Sequence, residues 1–385
     1  MHRINLIIFM LVSLMVISSC IKPFEPKIKS TDAHKYVVSG QVMNGDGNQT
    51  VNVSVTSSIN DPHYQPVTGC LVVILDKNEN QFDMNDVGNG DYTTWIDPGF
   101  LVPGNSFMVE VTTPDGIKLA SDFDQISSAP VVDSVFYIRK DIEGNIPGQF
   151  TLGIQFYLNM EGNDVNSRYY RWNLLETWEY HADYPLEWWY DGTIHHEVPP
   201  DYSRKVCWRT RKIPEIFTLS TNNLHENKSE MIPLHFIDNR TSRLAYGYSL
   251  LVEQFALSEA AYNYWDQLRI NSGQDGGLYE QQPLSVKGNI KNLTYPEEEV
   301  LGYFGAVSVT YKRIFVSHVP DLPLDFETYC DPAILRKGLK EFTPKDYPAY
   351  LMGDEVTWFP VWLNNECVDC TMLGGINFKP DFWPY

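Results

Sequence analysis

Positive charge is scarce in this sequence. Its 385 residues hold 29 lysines and arginines against 49 aspartates and glutamates, a net charge of −20. A chain this acidic repels phosphate backbones, which argues against nucleic acid as a partner. It argues equally against attachment to an anionic bilayer through protein charge. Beyond the first twenty residues there is no apolar run approaching the roughly 20 residues of a membrane-spanning helix. Internal repeats and low-complexity tracts are missing. So are a G-x-S-x-G elbow, an H-E-x-x-H pair and a P-loop, which removes the most recognisable routes to serine hydrolysis, zinc hydrolysis and nucleotide binding. Cysteine is limited to six, and only one C-x-x-C occurs, Cys367-Val-Asp-Cys370. A zinc site would need two further ligands, and no second such pair supplies them.

What is present begins at the amino end. Arg3 precedes an apolar stretch over residues 4–17, and Ile17-Ser18-Ser19-Cys20 has the form of a lipobox. A charged start, a short apolar core and small residues before the cut make a secretory signal. The expectation is cleavage before Cys20 and acylation of its thiol. Residues 1–19 are then a lipoprotein signal peptide and residues 20–35 a polar, proline-containing tether. The lipid, rather than protein charge, holds the chain at the cell outer membrane, facing outward.

An exported chain permits disulfides. Cys367 and Cys370 fit a redox pair, half a zinc site or a local structural disulfide; the missing helical pattern speaks against the redox motif, and the exported compartment favours the disulfide. Cys207 and Cys330 form the natural second pair, although sequence does not fix connectivity. Cys70 opens the apolar run Cys70-Leu-Val-Val-Ile-Leu75 and reads as a buried free thiol.

Short alternating segments dominate the rest. Strands are expected at residues 36–42, 50–57, 70–76, 92–96, 107–112 and 118–123, with turn chemistry in Asn44-Gly45-Asp46-Gly47, Gly88-Asn89-Gly90-Asp91 and Pro114-Asp115-Gly116. Such spacing predicts a β-sandwich over residues 36–126. After a linker at 126–130, a larger β-rich domain is expected over 132–385, with strands at 134–139, 150–158, 169–180, 300–308 and 313–319. In the 169–180 strand Tyr170, Trp172, Leu174, Trp178 and Tyr180 share one face, and Glu176 intrudes on it. A carboxylate there needs a partner, either as a salt bridge at the sheet edge or as part of a site. At least one α-helix is predicted at 258–270, capped by Ser258, with Tyr262, Trp265 and Leu268 as its stripe. The fold class is mainly β.

The residues 178–208 are the most recognition-like stretch. Trp178, Tyr184, Trp188, Trp189, Tyr190, His195, His196 and Tyr202 are interleaved with prolines in what reads as a loop. Exposed rings of this kind anchor sugars and protein partners, whereas the competing reading has them covering a sheet edge. His195 and His196 would hold a metal, with His181, only if a loop turned them together; adjacent residues on a strand point to opposite faces, and a solvated loop is the favoured reading. Asn44-Gly-Asp46-Gly-Asn48 lacks the spaced carboxylates of a calcium loop. Cys207 beside His225 or His235 is better explained by a disulfide than as a nucleophile. No metal, cofactor or catalytic residue is implied.

The first strands, Val38-Ser-Gly40-Gln-Val42 and Pro66-Val-Thr-Gly69-Cys-Leu-Val-Val-Ile74 with Gly90-Asp-Tyr92 and Gly104-Asn-Ser-Phe107, resemble carboxypeptidase-regulatory or transthyretin-like sandwich domains. A wider set covers nearly all of the chain after residue 20. It comprises Val131-Val-Asp133-Ser134-Val135, Cys207-Trp208, the helix at 258–268, Gln282-Pro-Leu-Ser-Val-Lys-Gly288-Asn289-Ile290, Val300-Leu-Gly302-Tyr303-Phe304, Cys367-Val-Asp-Cys370-Thr and Lys379-Pro-Asp-Phe-Trp383. In this order they resemble the exported lipoprotein family of the Bacteroidota known as domain of unknown function 4249. Cys70 departs from that pattern, which has a small residue there, usually alanine. The resemblance implies a non-catalytic accessory of a TonB-dependent outer-membrane transporter that binds an unknown nutrient ligand. Two other readings stand beside it: a cell-surface hydrolase of glycans or peptides, which would need a facing carboxylate pair such as one including Glu176, and a structural envelope or adhesin protein.

Overall fold

The computed structural model describes residues 34–384 apart from 46, 59–60, 145, 273–285, 329, 331–332, 335–337 and 354–359. Cys20, the signal peptide, most of the tether and the motif residues 282–285 lie outside the described residues. Four sheets and one α-helix of 14 residues, Glu259–Ser272, account for most of what is described, so the chain is mainly β. No described helix is long and apolar enough to cross a membrane.

The largest sheet has ten strands. Its order runs Val206–Lys212, Tyr169–His181, Gly247–Ala256, Phe304–Val316, Tyr36–Met43, Asn48–Val55, Asp91–Trp95 and Asn85–Gly88, with Phe217–Ser220 beside Tyr169–His181 and Gln65–Pro66 beside Asn48–Val55. Its middle joint is parallel: Gly40 pairs with Phe304 and Met43 with Val307. Gly302 makes the approach, because at φ 96° it brings its backbone so close to the Val38 carbonyl that a Cβ would collide with it. This joint corrects the expected separation into domains at 126–132. One sheet runs across that boundary, and residues 36–385 form one compact unit. The physical reason is that the sandwich strand Tyr36–Met43 has an open edge that the later strand Phe304–Val316 fills.

Within that unit the amino-terminal strands pack as a sandwich. A six-stranded sheet of Ile290–Asn292, Lys118–Ser121, Ser106–Thr112, Leu71–Asp76 and Gln81–Asp83, with Asp124–Gln125, faces one half of the large sheet. Val38, Val51, Val53 and Tyr92 meet Val72, Ile74, Phe107 and Val109 in the core between them, and Ile290, Phe304 and Ala306 contribute to it from far along the chain. The free thiol of Cys70 is buried there, as read from sequence. Burial pushes it above the usual thiol range.

The other half of the large sheet packs on a three-stranded sheet, Val132–Glu143, Phe150–Glu161 and Lys228–Asp238. Ile154, Phe156, Leu158 and Ile237 interlock with Tyr170, Trp172, Leu174, Tyr248 and Leu250. The predicted apolar face of Tyr169–His181 is therefore the core face. In place of the strands expected at 300–308 and 313–319 there is one continuous strand, Phe304–Val316, because Thr310 and Tyr311 are themselves strand-favouring residues that carry the extended backbone through. The helix Glu259–Ser272 lies on the opposite face of the large sheet. Ser258 caps it through Oγ, which accepts from the Ala261 N–H at 3.1 Å. Tyr262, Tyr264 and Trp265 pack with Phe255, Val307 and Val309.

Candidate functional site

The stretch expected as an aromatic loop is a hairpin. Leu186–Tyr190 pairs with Ile194–Asp201 and continues through Ala349–Gly353, Pro360–Leu363 and Ala333–Ile334 into a five-stranded sheet. The alternation of the strand sends Trp188 to one face and Trp189 to the other. Trp188 joins Tyr190, Phe342, Ala349 and Leu351, while Trp189 joins Tyr184, Tyr350, Leu363 and Cys367. Each indole is then covered on its outer side by a histidine. His196 stacks on Trp188 with centroids 3.6 Å apart, and His195 on Trp189 at 3.8 Å, both nearly parallel. The expectation of adjacent histidines on opposite faces holds. Carboxylates complete the arrangement: Asp191 lies 2.9 Å from His195 Nε2, Glu187 lies 3.6 Å from His196, and Trp189 Nε1 donates to Glu197 at 3.0 Å.

This geometry corrects the picture of an exposed ring platform. Trp178 and Tyr190 are core residues, and Tyr184, Trp188 and Trp189 are half-buried. The surface is formed instead by the second strand, whose Ile194 and Val198 are 58% and 76% exposed, and by Tyr202 just after it at 60%. Ile194–Asp201 is an edge strand of its sheet, and Pro199 and Pro200 remove two backbone donors from it.

Two disulfides hold this region, and their pairing differs from the one expected. Cys207 bonds Cys370, and Cys330 bonds Cys367. The four cysteines are the ones singled out, but the C-x-x-C does not close on itself. Cys367 ends one 3-10 turn, Asn365–Cys367, and Cys370 begins the next, Cys370–Leu373. Asp369 between them accepts hydrogen bonds from the Thr371 N–H and hydroxyl. The two thiols are thereby directed to different cores: Cys370 beneath Tyr180, whose hydroxyl donates to its carbonyl, and Cys367 onto the five-stranded sheet.

Glu176 is fully buried between the large sheet and the three-stranded sheet. Arg211 Nε donates to its Oε1 at 2.7 Å, Arg243 reaches Oε2 at 3.2 Å, and the Tyr248 hydroxyl donates to Oε2 at 3.0 Å. Of the readings open in sequence, the salt bridge is the one found, in the interior rather than exposed at an edge. Burial first, then the Glu176 charge, holds the Tyr248 hydroxyl well above its ordinary range. His235 lies 3.4 Å from Arg243, and burial pushes its imidazole below the ordinary range, so it sits there as the neutral acceptor.

Sequence reasoning missed Arg171, which alternates to the face opposite Tyr170 and Trp172. Its guanidinium is buried beneath the helix, 3.9 Å from the Trp265 ring and 4.6 Å from that of Phe255, and burial lowers it to about 10. Also missed was an open groove of about 650 Å³ where two sheet edges diverge, lined by Trp172, Ile216, Phe217, Leu219, Ile232 and Pro233. Among the described residues no three His, Cys, Asp or Glu side chains are grouped to hold a metal ion.

A family model described as a domain of unknown function, DUF4249, matches residues 21–313, and the chain belongs to that family. No curated protein matches the chain.

Proposed function

From membership of a family with no assigned activity, we propose that this protein is a lipid-anchored, non-catalytic binding subunit at the outer membrane. It works beside a TonB-dependent transporter and helps it take up a nutrient. The observation that carries this reading is the strand Ile194–Asp201. It sets two exposed apolar side chains, Ile194 and Val198, on an edge where prolines remove backbone donors, and the exposed Tyr202 follows it directly. The Trp–His stacks and the Cys330–Cys367 disulfide stiffen the sheet beneath it, so little side-chain freedom is lost on docking. The lipobox at Cys20 supplies the anchor, and the acidic surface leaves lipid rather than charge to do the holding. Glu176, the carboxylate that a hydrolase reading would use, faces the interior and is shared by two arginines.

The test is affinity purification of the lipidated protein from gently solubilised outer membranes, followed by mass spectrometry. A stoichiometric β-barrel transporter is the expected companion, lost when Ile194, Val198 and Tyr202 are all changed to Ser. Recovery of the lipoprotein alone would return the hydrolase and structural readings to the front.

A further inference from the structure

The strand Val206–Lys212 ends the ten-stranded sheet, and its edge differs from the proline-closed one at Ile194–Asp201. Residues 204–212 read Arg-Lys-Val-Cys-Trp-Arg-Thr-Arg-Lys, five cations in a chain of net charge −20. Trp208 exchanges two backbone hydrogen bonds of 2.9 Å with Ile376, on the side away from Tyr169–His181. Backbone groups alternate in direction along an antiparallel strand. Thr210 and Lys212 therefore turn their N–H and C=O to that same outer side. Ile376 does not continue beside them, because Gly374 at φ 82° closes the 3-10 turn Cys370–Leu373 and takes the chain away. Among the described residues, Thr210 and Lys212 face no strand on that side.

The side chains flanking this open lane carry an excess of positive charge. Arg209 and Arg211 stand on one face, their guanidinium carbons 5.8 and 5.7 Å from the Trp178 ring. Glu176 is shared between Arg211 and Arg243, which leaves one positive charge over. Arg209 donates to the neutral carbonyl of Leu373 and joins no ion pair among the described residues. Lys212 stands on the other face. Its ammonium is pushed below the ordinary range by burial and then by the Arg171 charge, with Glu253 opposing.

We propose that the outer edge of Val206–Lys212 is a docking lane for a short, acidic, extended segment of a partner polypeptide. The segment adds a strand beside Thr210 and Lys212. Its side chains alternate between faces, so carboxylates at alternate positions reach Arg209 and Arg211, and one between them reaches Lys212. A guanidinium fork matches a carboxylate in two parallel hydrogen bonds, which suits arginine to this role. Cations on an edge strand also discourage self-association, but that role needs neither an open backbone nor an acidic partner. The inference is independent of the transporter reading, since it concerns a different edge and holds whatever the partner is.

The probe is a labelled octapeptide with three consecutive glutamates flanked by threonines, titrated with the full mature protein and followed by fluorescence anisotropy. Saturable binding at about 50 mM salt is expected, weakening about tenfold near 300 mM as screening shortens the reach of the charges. The variant R209A/K212A leaves the Glu176 pairing intact and should weaken binding about tenfold. The same peptide with alternate backbone amides methylated should bind more weakly by a similar factor, as should the unmodified peptide to Thr210→Pro, an edge position that tolerates proline. Absence of saturable binding overturns the proposal. So does equal binding of the methylated peptide, or binding unchanged by R209A/K212A. The methylated peptide is read on the unaltered protein, so a variant that fails to fold does not remove the test.

Discussion

Glu176 and Arg211 face each other across adjacent strands, with Arg211 Nε 2.7 Å from Glu176 Oε1 and the carboxylate out of reach of water. Arg243 and Tyr248 close the other oxygen. The carboxylate thus ties an edge strand, a central strand and the turn at residues 242–244 together, where a purely apolar side chain would leave two cations unmatched.

Glu176→Gln should therefore lower stability by about 2–4 kcal/mol, measured by urea unfolding. Removing one partner of a buried pair usually costs 3–5 kcal/mol, and the half-exposed Arg211, at 50%, can recover some hydration. A loss below about 1 kcal/mol would mean that both arginines reach water freely.

Peptide mapping without reduction should recover the linkages Cys207–Cys370 and Cys330–Cys367. Their loops differ in length, with sequence separations of 163 and 37. Loop-closure entropy then makes the first worth roughly 5 kcal/mol and the second roughly 4 kcal/mol. Cys207→Ser should destabilise more than Cys330→Ser in the same denaturation assay. In the intact protein one thiol, Cys70, should react with a thiol reagent, and only after unfolding, because it is buried. Two or more reactive thiols would contradict the pairing.

His235 should give the fold an acid-sensitive step. Burial lowers its folded-state affinity for a proton, so the unfolded chain binds a proton near pH 6.5 that the folded chain refuses. Stability rises with pH wherever the unfolded state holds more protons. The contribution is complete above about pH 6.5 and is lost progressively as the pH falls below it. Comparing His235→Gln with the unaltered protein between pH 7 and pH 5 should show a flatter slope in the variant. Identical slopes would place the acid response elsewhere.

Changing Cys20 to Ala should abolish lipid labelling and release the protein from membranes, read by fractionation. Continued membrane retention would remove the anchor from the proposed function.

Much of this fold is legible along the chain because it is local. The alternation of Tyr170, Trp172, Leu174, Trp178 and Tyr180 marks a core face, Glu176 stands out on it, and Ser258 announces a helix. The hairpin at 186–201 was harder to see, because Pro199, Pro200 and clustered rings resemble a loop, and its alternation shows only once Trp188 and Trp189 are assigned to different cores. Arg171 sits on the nominally polar face, and a helix some ninety residues later covers it. Disulfide pairing depends on how two consecutive 3-10 turns aim their thiols, which spacing does not encode. The histidine caps on Trp188 and Trp189 follow from cross-strand register, set only once the hairpin exists. The same holds for the lane beside Thr210: its cations are plain in the sequence, but its open backbone is defined only by where Ile376 stops.

The pairing of Gly40 with Phe304 has a consequence in time. A polypeptide that emerges amino end first must release more than two hundred and fifty residues before its opening strand meets its neighbour. Until then Tyr36–Met43 has one ladder unmade, and the sandwich lacks Phe304 and Ala306 from its interior. Contacts so distant along the chain form slowly. The amino-terminal half accordingly stays pliable throughout its own delivery, and the molecule locks late, when the strand that completes its centre finally arrives.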